Sequence, residues 1–250
     1  MKRLLLLGGT AEALNIAKTL PQQHIYSLAG VGGPAPELNC QVRIGGLEAS
    51  NGLENFLHDQ SITLILDATH PYAANISRYA ADAARKVFIP YWTLARPLWT
   101  PLPDCRWHSV NNDWQEILPA ISEYKRPFFT IGMKPLEHLP SIKQHQHWYI
   151  RCLNDVNACL NGNTDSTKVT IFPARGPFSL ENERALFQQF NFDVLISKNS
   201  GSIATEPKLI LANERKIPVI MLNRPELPKA DRTFLSADAA IAELNRAKYL

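Results

Sequence analysis

The chain opens on an unbroken apolar run, Leu4 to Leu7, followed by Gly8-Gly9-Thr10-Ala11-Glu12 and then by Ala13, Leu14, Ala17 and Leu20 at helical spacing. A strand covered on both faces reads as continuous hydrophobics, whereas a helix lying on a sheet shows apolar positions three and four apart. The pattern predicts a buried parallel strand that turns sharply into an amphipathic helix. Similar alternation recurs downstream. Strands are expected at His24–Leu28, Thr63–Leu66 and Phe88–Leu94, with helices within 47–60 and over Ala73–Lys86. The chain up to Leu94 therefore reads β-α-β-α-β-α-β, a Rossmann-like half. Beyond it, strands are expected at Trp107–Val110, Phe128–Ile131, Trp148–Leu153, Val169–Phe172, Asp193–Ser197 and Pro218–Leu222, with helices over 113–124, 179–190, from Ser202 towards Asn213, and 237–247.

The whole reads as an α/β protein: two Rossmann-like domains with mainly parallel sheets and a cleft between them. The boundary falls in Ala95-Arg96-Pro97-Leu98-Trp99-Thr100-Pro101-Leu102-Pro103, whose prolines stiffen an extended connection. Residues 1–96 are expected to form a nucleotide-binding domain and residues 97–250 to complete the substrate cleft. No internal repeat stands out beyond the shared alternation.

Composition narrows the classes of function. The 250 residues carry a net charge of +3 with no basic run interleaved with aromatics, so no nucleic-acid partner is expected. No apolar stretch approaches the ~18 residues of a membrane span, and the N-terminal run is too short for a signal peptide. Cys40, Cys105, Cys152 and Cys159 form no C-x-x-C pair and read as reduced thiols of a cytoplasmic protein. His145 and His147 stand two apart beside Trp148, a poor spacing for a shared ligand, and no metal site is expected.

Five loops carry chemistry at predicted strand ends: 8–12, 29–33, 67–72, 175–179 and 198–202. Gly8-Gly9 allows a tight turn and close approach of a ligand, and Thr10 is placed as an N-cap whose hydroxyl can reach a phosphate. Against the G-x-G-x-x-G fingerprint, Thr10 and Ala13 replace the second and third glycines, so an ordinary strand-to-helix turn fits the string too. No acidic residue follows the second strand to hold a ribose. Asp67-Ala-Thr-His-Pro-Tyr72 gathers a carboxylate, a hydroxyl and an imidazole at a strand end. Arg175 and Lys198, flanked by Gly, Pro, Asn and Ser, suit an anionic substrate, and Arg96 either faces a ligand or is a solvated linker charge. A nucleotide-dependent transferase or methyltransferase, or a non-catalytic dinucleotide-binding module, fits the same α/β framework.

Leu6–Glu12, Ser27-Leu-Ala-Gly30, Asp67–Ala73, Ala95-Arg-Pro-Leu-Trp99, Arg175-Gly-Pro-Phe-Ser179 and Lys198-Asn-Ser-Gly201, in that order, resemble the precorrin-6A and cobalt-precorrin-6A reductases of cobalamin biosynthesis. The resemblance implies an oxidoreductase that moves hydride from NADPH or NADH onto one double bond of a corrin precursor, giving precorrin-6B. It implies a nucleotide on Gly8, Gly9, Thr10, Ala11, Glu12, Leu28, Ala29, Gly30, Thr69, His70 and Pro71. His70 is then a proton donor or a nicotinamide contact. Tyr72, Arg96, Arg175, Lys198, Asn199, Ser200 and Gly201 would meet the tetrapyrrole. Transient contact with neighbouring pathway enzymes follows from the same resemblance. One departure stands out: where relatives commonly carry an arginine after Ser-Leu-Ala-Gly, this chain has Val31. Without that cation for the 2′-phosphate, NADPH should be preferred over NADH by about tenfold at most.

Overall fold

The computed structural model describes residues 2–30, 36–47, 52–153 and 168–250. These fall into two units, residues 1–97 with 225–250, and residues 98–224. Each is built on a six-stranded sheet whose paired strands are all parallel.

The first unit contains β1 (Leu4–Leu7), α1 (Ala11–Ala17), β2 (Ile25–Leu28), β3 (Gln41–Ile44), α2 (Leu53–Asp59), β4 (Leu64–Asp67), α3 (Ala74–Lys86) and β5 (Tyr91–Leu94). The returning segment adds β12 (Arg232–Phe234) and α7 (Ala237–Arg246). All four leucines of β1 are buried because alternate side chains feed opposite faces of the sheet. Leu4 and Leu6 join Ala13, Ile16, Leu20, Ala240 and Leu244, while Leu5 and Leu7 join Leu53, Leu57, Ala80 and Ala84. A run apolar on both faces thus takes the centre, with β4 on one side and β2 on the other.

Two expectations are corrected, and β3 and β12 lie where no strand was expected. The stretch from Phe88 yields a strand only from Tyr91, because Phe88 sits at φ 59° and is 94% exposed, and Pro90 precedes the strand. Residues 225–250, assigned above to the second domain, belong to the first unit: β12 pairs with β5, and α7 covers the β1 face.

The last residues are fastened through His24. Its Nδ1 accepts from the Leu4 N–H at 3.0 Å, so Nε2 carries the proton and donates to the Tyr249 carbonyl at 2.5 Å. The Tyr249 hydroxyl meets Thr63. Burial holds the His24 pKa below 6.5, since a protonated ring would be desolvated and would lose its acceptor for Leu4. The unfolded chain therefore binds the proton first, and stability from this residue is lost as pH falls below about 6.5. Thermal midpoints measured from pH 7.5 to 5.5 should fall in the wild type and flatten in His24→Gln. Parallel pH curves for the two proteins would remove His24 as the cause.

The second unit contains β6 (Trp107–Val110), α4 (Trp114–Ala120), β7 (Pro127–Thr130), a 3₁₀ helix (Lys134–Ser141), β8 (Trp148–Cys152), β9 (Val169–Pro173), α5 (Leu180–Phe190), β10 (Val194–Lys198), α6 (Pro207–Glu214) and β11 (Val219–Leu222). Its core is aromatic. Phe128 stacks on Phe192 at 4.2 Å, with Phe187 edge-on to both.

The strand orders reveal a repeat that the sequence conceals. The first sheet runs β3-β2-β1-β4-β5-β12 and the second β9-β8-β7-β10-β11-β6. Both have the 3-2-1-4-5-6 arrangement of dinucleotide-binding sheets. In each, the sixth place is filled from elsewhere in the chain: by the last strand in the first sheet and by the preceding one, β6, in the second.

Candidate functional site

In a sheet of this order the chain leaves the first strand to one side and returns to the fourth on the other, opening a crevice at the carboxyl ends of those two strands. In the first unit the crevice lies after β1 and β4, where the loops 8–12 and 67–72 emerge. Thr10 joins them. Its hydroxyl accepts from the Ala13 N–H at 3.1 Å, capping α1, and donates to the Ala68 carbonyl at 2.8 Å. The hydroxyl's one proton is thus engaged by the Ala68 carbonyl. The Ala11 and Glu12 N–H groups, in the first turn of α1, have no carbonyl four residues back within the helix.

The two glycines differ in role. A Cβ on Gly8 would stand 2.1 Å from Cε2 of Tyr26, so this position is glycine because the tyrosine ring fills the crook of the turn. Gly9 has φ 110° and, among the described residues, nothing within 4 Å of where a Cβ would be, so here the backbone faces open space. Glu12 and Arg96, read separately as nucleotide and substrate contacts, meet each other. Nη1 of the buried arginine lies 3.3 and 3.1 Å from the two carboxylate oxygens. The pair ties the end of β5 to α1 and offsets an acidic charge that would oppose an anion there.

Asp67, 3% exposed, is part of the loop's internal scaffold. Oδ1 accepts from the Thr69 N–H and hydroxyl at 3.0 and 2.7 Å, and Oδ2 accepts from the Tyr91 hydroxyl at 2.7 Å. Burial and the adjacent carboxylate push the Tyr91 phenol far above its usual range, so it stays a proton donor. This frame fixes the turn that carries His70, whose exposed ring leans on Tyr72 with centroids 5.7 Å apart. Nδ1 accepts from the Tyr72 N–H at 3.2 Å, so a neutral ring carries its proton on Nε2. Pro71 is buried behind it. At the end of β2, Leu28 packs on the core while Ala29 and Gly30 are exposed, Gly30 with φ 86°. Val31, Gly32 and Gly33 lie outside the described residues. Arg43, opposite Ser27 on β3, donates to the carbonyls of Gly45 and Gly46 at 2.6 and 2.9 Å.

The equivalent crevice of the second unit lies after β7 and β10. Gly132 follows β7 with φ 87° and, like Gly9, nothing within 4 Å of a built Cβ. Lys198 ends β10, half-buried. Burial, and then the charge of Lys134, lower its pKa. Asn199 is committed to structure: its amide accepts from the Trp99 N–H at 2.8 Å and donates to the Trp99 carbonyl at 3.1 Å, and its own carbonyl accepts from Arg224 Nε at 2.6 Å. Ser200 is buried and meets the Thr205 hydroxyl at 3.3 Å, and Gly201 turns with φ 65°. Arg175 is exposed on a loop tied to the next one by the Phe178 N–H donating to the Ala204 carbonyl at 2.9 Å.

Sequence reading missed Lys134, Arg151, Glu183 and Lys208. Arg151 and Lys208 are each a lone cation within an otherwise apolar run, Trp148-Tyr-Ile-Arg-Cys152 and Pro207-Lys-Leu-Ile-Leu-Ala212, and that isolation was the available signal. No helix among the described residues is long and apolar enough to cross a membrane.

The family described as "Precorrin-6x reductase CbiJ/CobK" matches residues 3–245. A Rhodococcus erythropolis protein named precorrin-6A reductase is 38% identical over 249 residues, covering 97% of each chain. One from a Sinorhizobium species, with the same name, is 38% identical over 96% of this chain and 91% of its own. A Priestia megaterium protein named cobalt-precorrin-6A reductase is 26% identical over 90% of this chain and 91% of its own. A solved structure titled "CobK precorrin-6A reductase" superposes with a TM-score of 0.84 at 30% identity, covering 100% of this chain and 97% of that one.

Proposed function

The chain belongs to the precorrin-6x reductase CbiJ/CobK family, and on that premise we propose that it reduces a double bond of precorrin-6A with a nicotinamide nucleotide held by the first unit. The observation that carries the assignment of the nucleotide is Gly9, with its left-handed backbone and open front at the crevice between β1 and β4. A nucleotide pyrophosphate fits that space and the N–H groups of the first turn of α1. The nucleotide, when bound, supplies the hydride.

The protein's own residues do the rest. Thr10 and the Asp67–Thr69–Tyr91 network hold the two loops in register. Arg96 offsets the charge of Glu12. His70 presents Nε2–H as a donor to the ring system or to the nucleotide. In the second unit Lys198, with Arg175 outside it, holds ionised acetate or propionate groups of the tetrapyrrole. Family membership favours this reading over a transferase or a non-catalytic module. The higher identity to relatives named for precorrin-6A, 38%, than to one named for the cobalt form, 26%, supports the metal-free macrocycle as substrate.

The test is turnover of metal-free and cobalt-containing precorrin-6A with NADH and with NADPH. Activity on the metal-free substrate is expected, and no turnover with either nucleotide would overturn the assignment. The nucleotide ratio is expected to stay within about tenfold in favour of NADPH. No Lys or Arg lies between Ser27 and Gln41, and the two terminal nitrogens of Arg43 are engaged by Gly45 and Gly46. A preference above roughly a hundredfold would show that a cation reads the 2′-phosphate after all.

A further inference from the structure

Behind Lys198, the described residues of the second unit bury two basic side chains beside one acid. Arg151, on β8, is 7% exposed, and Lys208, in the first turn of α6, is 6% exposed. The acid buried with them is Glu183 of α5. Its Oε1 accepts from Arg151 Nη2 at 2.7 Å, and that single contact leaves Arg151 Nε and Nη1 and Glu183 Oε2 buried with no partner among the described residues.

Among the described residues, aromatic faces lie against the remaining cationic surface. Arg151 Cζ lies 4.2 Å from the Phe178 ring centroid and 4.9 Å from that of Phe128, and Lys208 Nζ lies 5.6 Å from that of Trp99. Ring faces attract cations while leaving their N–H donors without an acceptor. Trp99 is itself fixed by the Asn199 amide, and Phe178 by its bond to Ala204. Thus two of the loops singled out by the sequence position the rings around these cations.

A buried cation without a counter-charge is costly, so Arg151 and Lys208, two basic groups beside one carboxylate among the described residues, are both charged only when one more anion joins them. We propose that Arg151 and Lys208 are the buried end of the anion site whose outer cations are Lys198 and Lys134, and that they receive one carboxylate of the tetrapyrrole. This rests on the reading that the second unit holds the substrate. It adds a specificity-determining pair: a macrocycle lacking that carboxylate would bring no counter-charge to the buried pair.

The charged groups acting on Lys208 agree with this arrangement. Burial lowers its pKa to about 7, the positive fields of Arg151 and Lys198 push the same way, and Glu183 opposes them. A carboxylate arriving beside Lys208 would draw a proton onto it.

The probe is uroporphyrin, a tetrapyrrole bearing acetate and propionate groups, titrated into the full-length protein without nucleotide. Lys208→Met is expected to bind it at least tenfold more weakly, with nucleotide affinity and thermal midpoint retained. Binding to the wild type near pH 8 is expected to take up close to one proton, read by calorimetry in buffers of different ionisation enthalpy. That uptake should persist in Lys198→Gln and vanish in Lys208→Met. If Lys208→Met binds like the wild type while Lys198→Gln is weakened, this inference falls and the substrate reading stands. If neither is weakened, both fall. Should Lys208→Met fail to fold, the absence of proton uptake in the wild type and in Lys198→Gln would overturn the proposal by itself.

Discussion

Replacing Gly9 with valine is expected to weaken nucleotide binding by more than tenfold. Two effects combine. At φ 110° any L side chain strains the backbone, at a cost on the order of 1–3 kcal/mol. A branched side chain also enters the space in front of the turn, which no described residue occupies within 4 Å of the Cβ position. Alanine separates the two effects, because it carries nearly the same backbone strain with little volume. Gly9→Ala should lower the thermal midpoint about as much as Gly9→Val while keeping more of the nucleotide affinity. Fluorescence titration with reduced nicotinamide nucleotide, beside a thermal melt, reads both quantities. A folded Gly9→Val protein with wild-type affinity would remove this loop from the nucleotide site. Gly8→Ala should behave differently: its methyl would strike the Tyr26 ring at 2.1 Å, so its loss should appear first in stability.

Neutralising Lys198 as glutamine is expected to raise the KM for the tetrapyrrole and to leave nucleotide affinity nearly unchanged. The loss should be on the order of 2–4 kcal/mol, because this lysine is half-buried and truncating one partner of a desolvated charge pair costs that much. Arg175, exposed on its loop, should cost less when neutralised, since a solvated pair gains little. Steady-state kinetics on both variants checks the order. A Lys198→Gln enzyme with an unchanged KM would return this residue to a structural role, and a larger loss at Arg175 would reverse the assignment of the inner and outer cations.

What the sequence made legible follows from how local each signal is. The run Leu4–Leu7 announces a doubly covered strand because burial on both faces is written into consecutive residues. The strand-end loops announce themselves through glycine, proline and polar residues packed into short spans. By contrast, β3 is an edge strand with a partner on one side only, and its four residues are exposed or half-buried, so they carry little hydrophobic imprint. The three residues of β12 gain their meaning from pairing with β5, far back in the chain. Side-chain partnerships were equally hidden. Arg96 was read as a ligand contact because nothing near it in sequence points to Glu12, its partner across 84 positions. Asn199 looked functional within an unusual string, yet both ends of its amide are spent on the Trp99 backbone. Lys208 passed as an ordinary helix residue because its burial is a tertiary fact. The repeat of two sheets was invisible because it lies in strand order, not in residue identity.

The exchange of sixth strands has a consequence for biosynthesis. The nascent chain emerges from the ribosome N-terminus first. By the time Leu94 appears, five strands of the first sheet exist, but the place beside β5 stays empty until Phe234 is made. The whole of residues 98–224 is translated in between, and that unit holds all six of its own strands before the first sheet is complete. The later-synthesised unit is thus the first that can finish folding, while the earlier one waits with an open parallel edge and with the Leu4–Leu6 face uncovered by α7. A stop codon a few dozen residues early would spare every loop discussed above and still leave the first sheet unfinished.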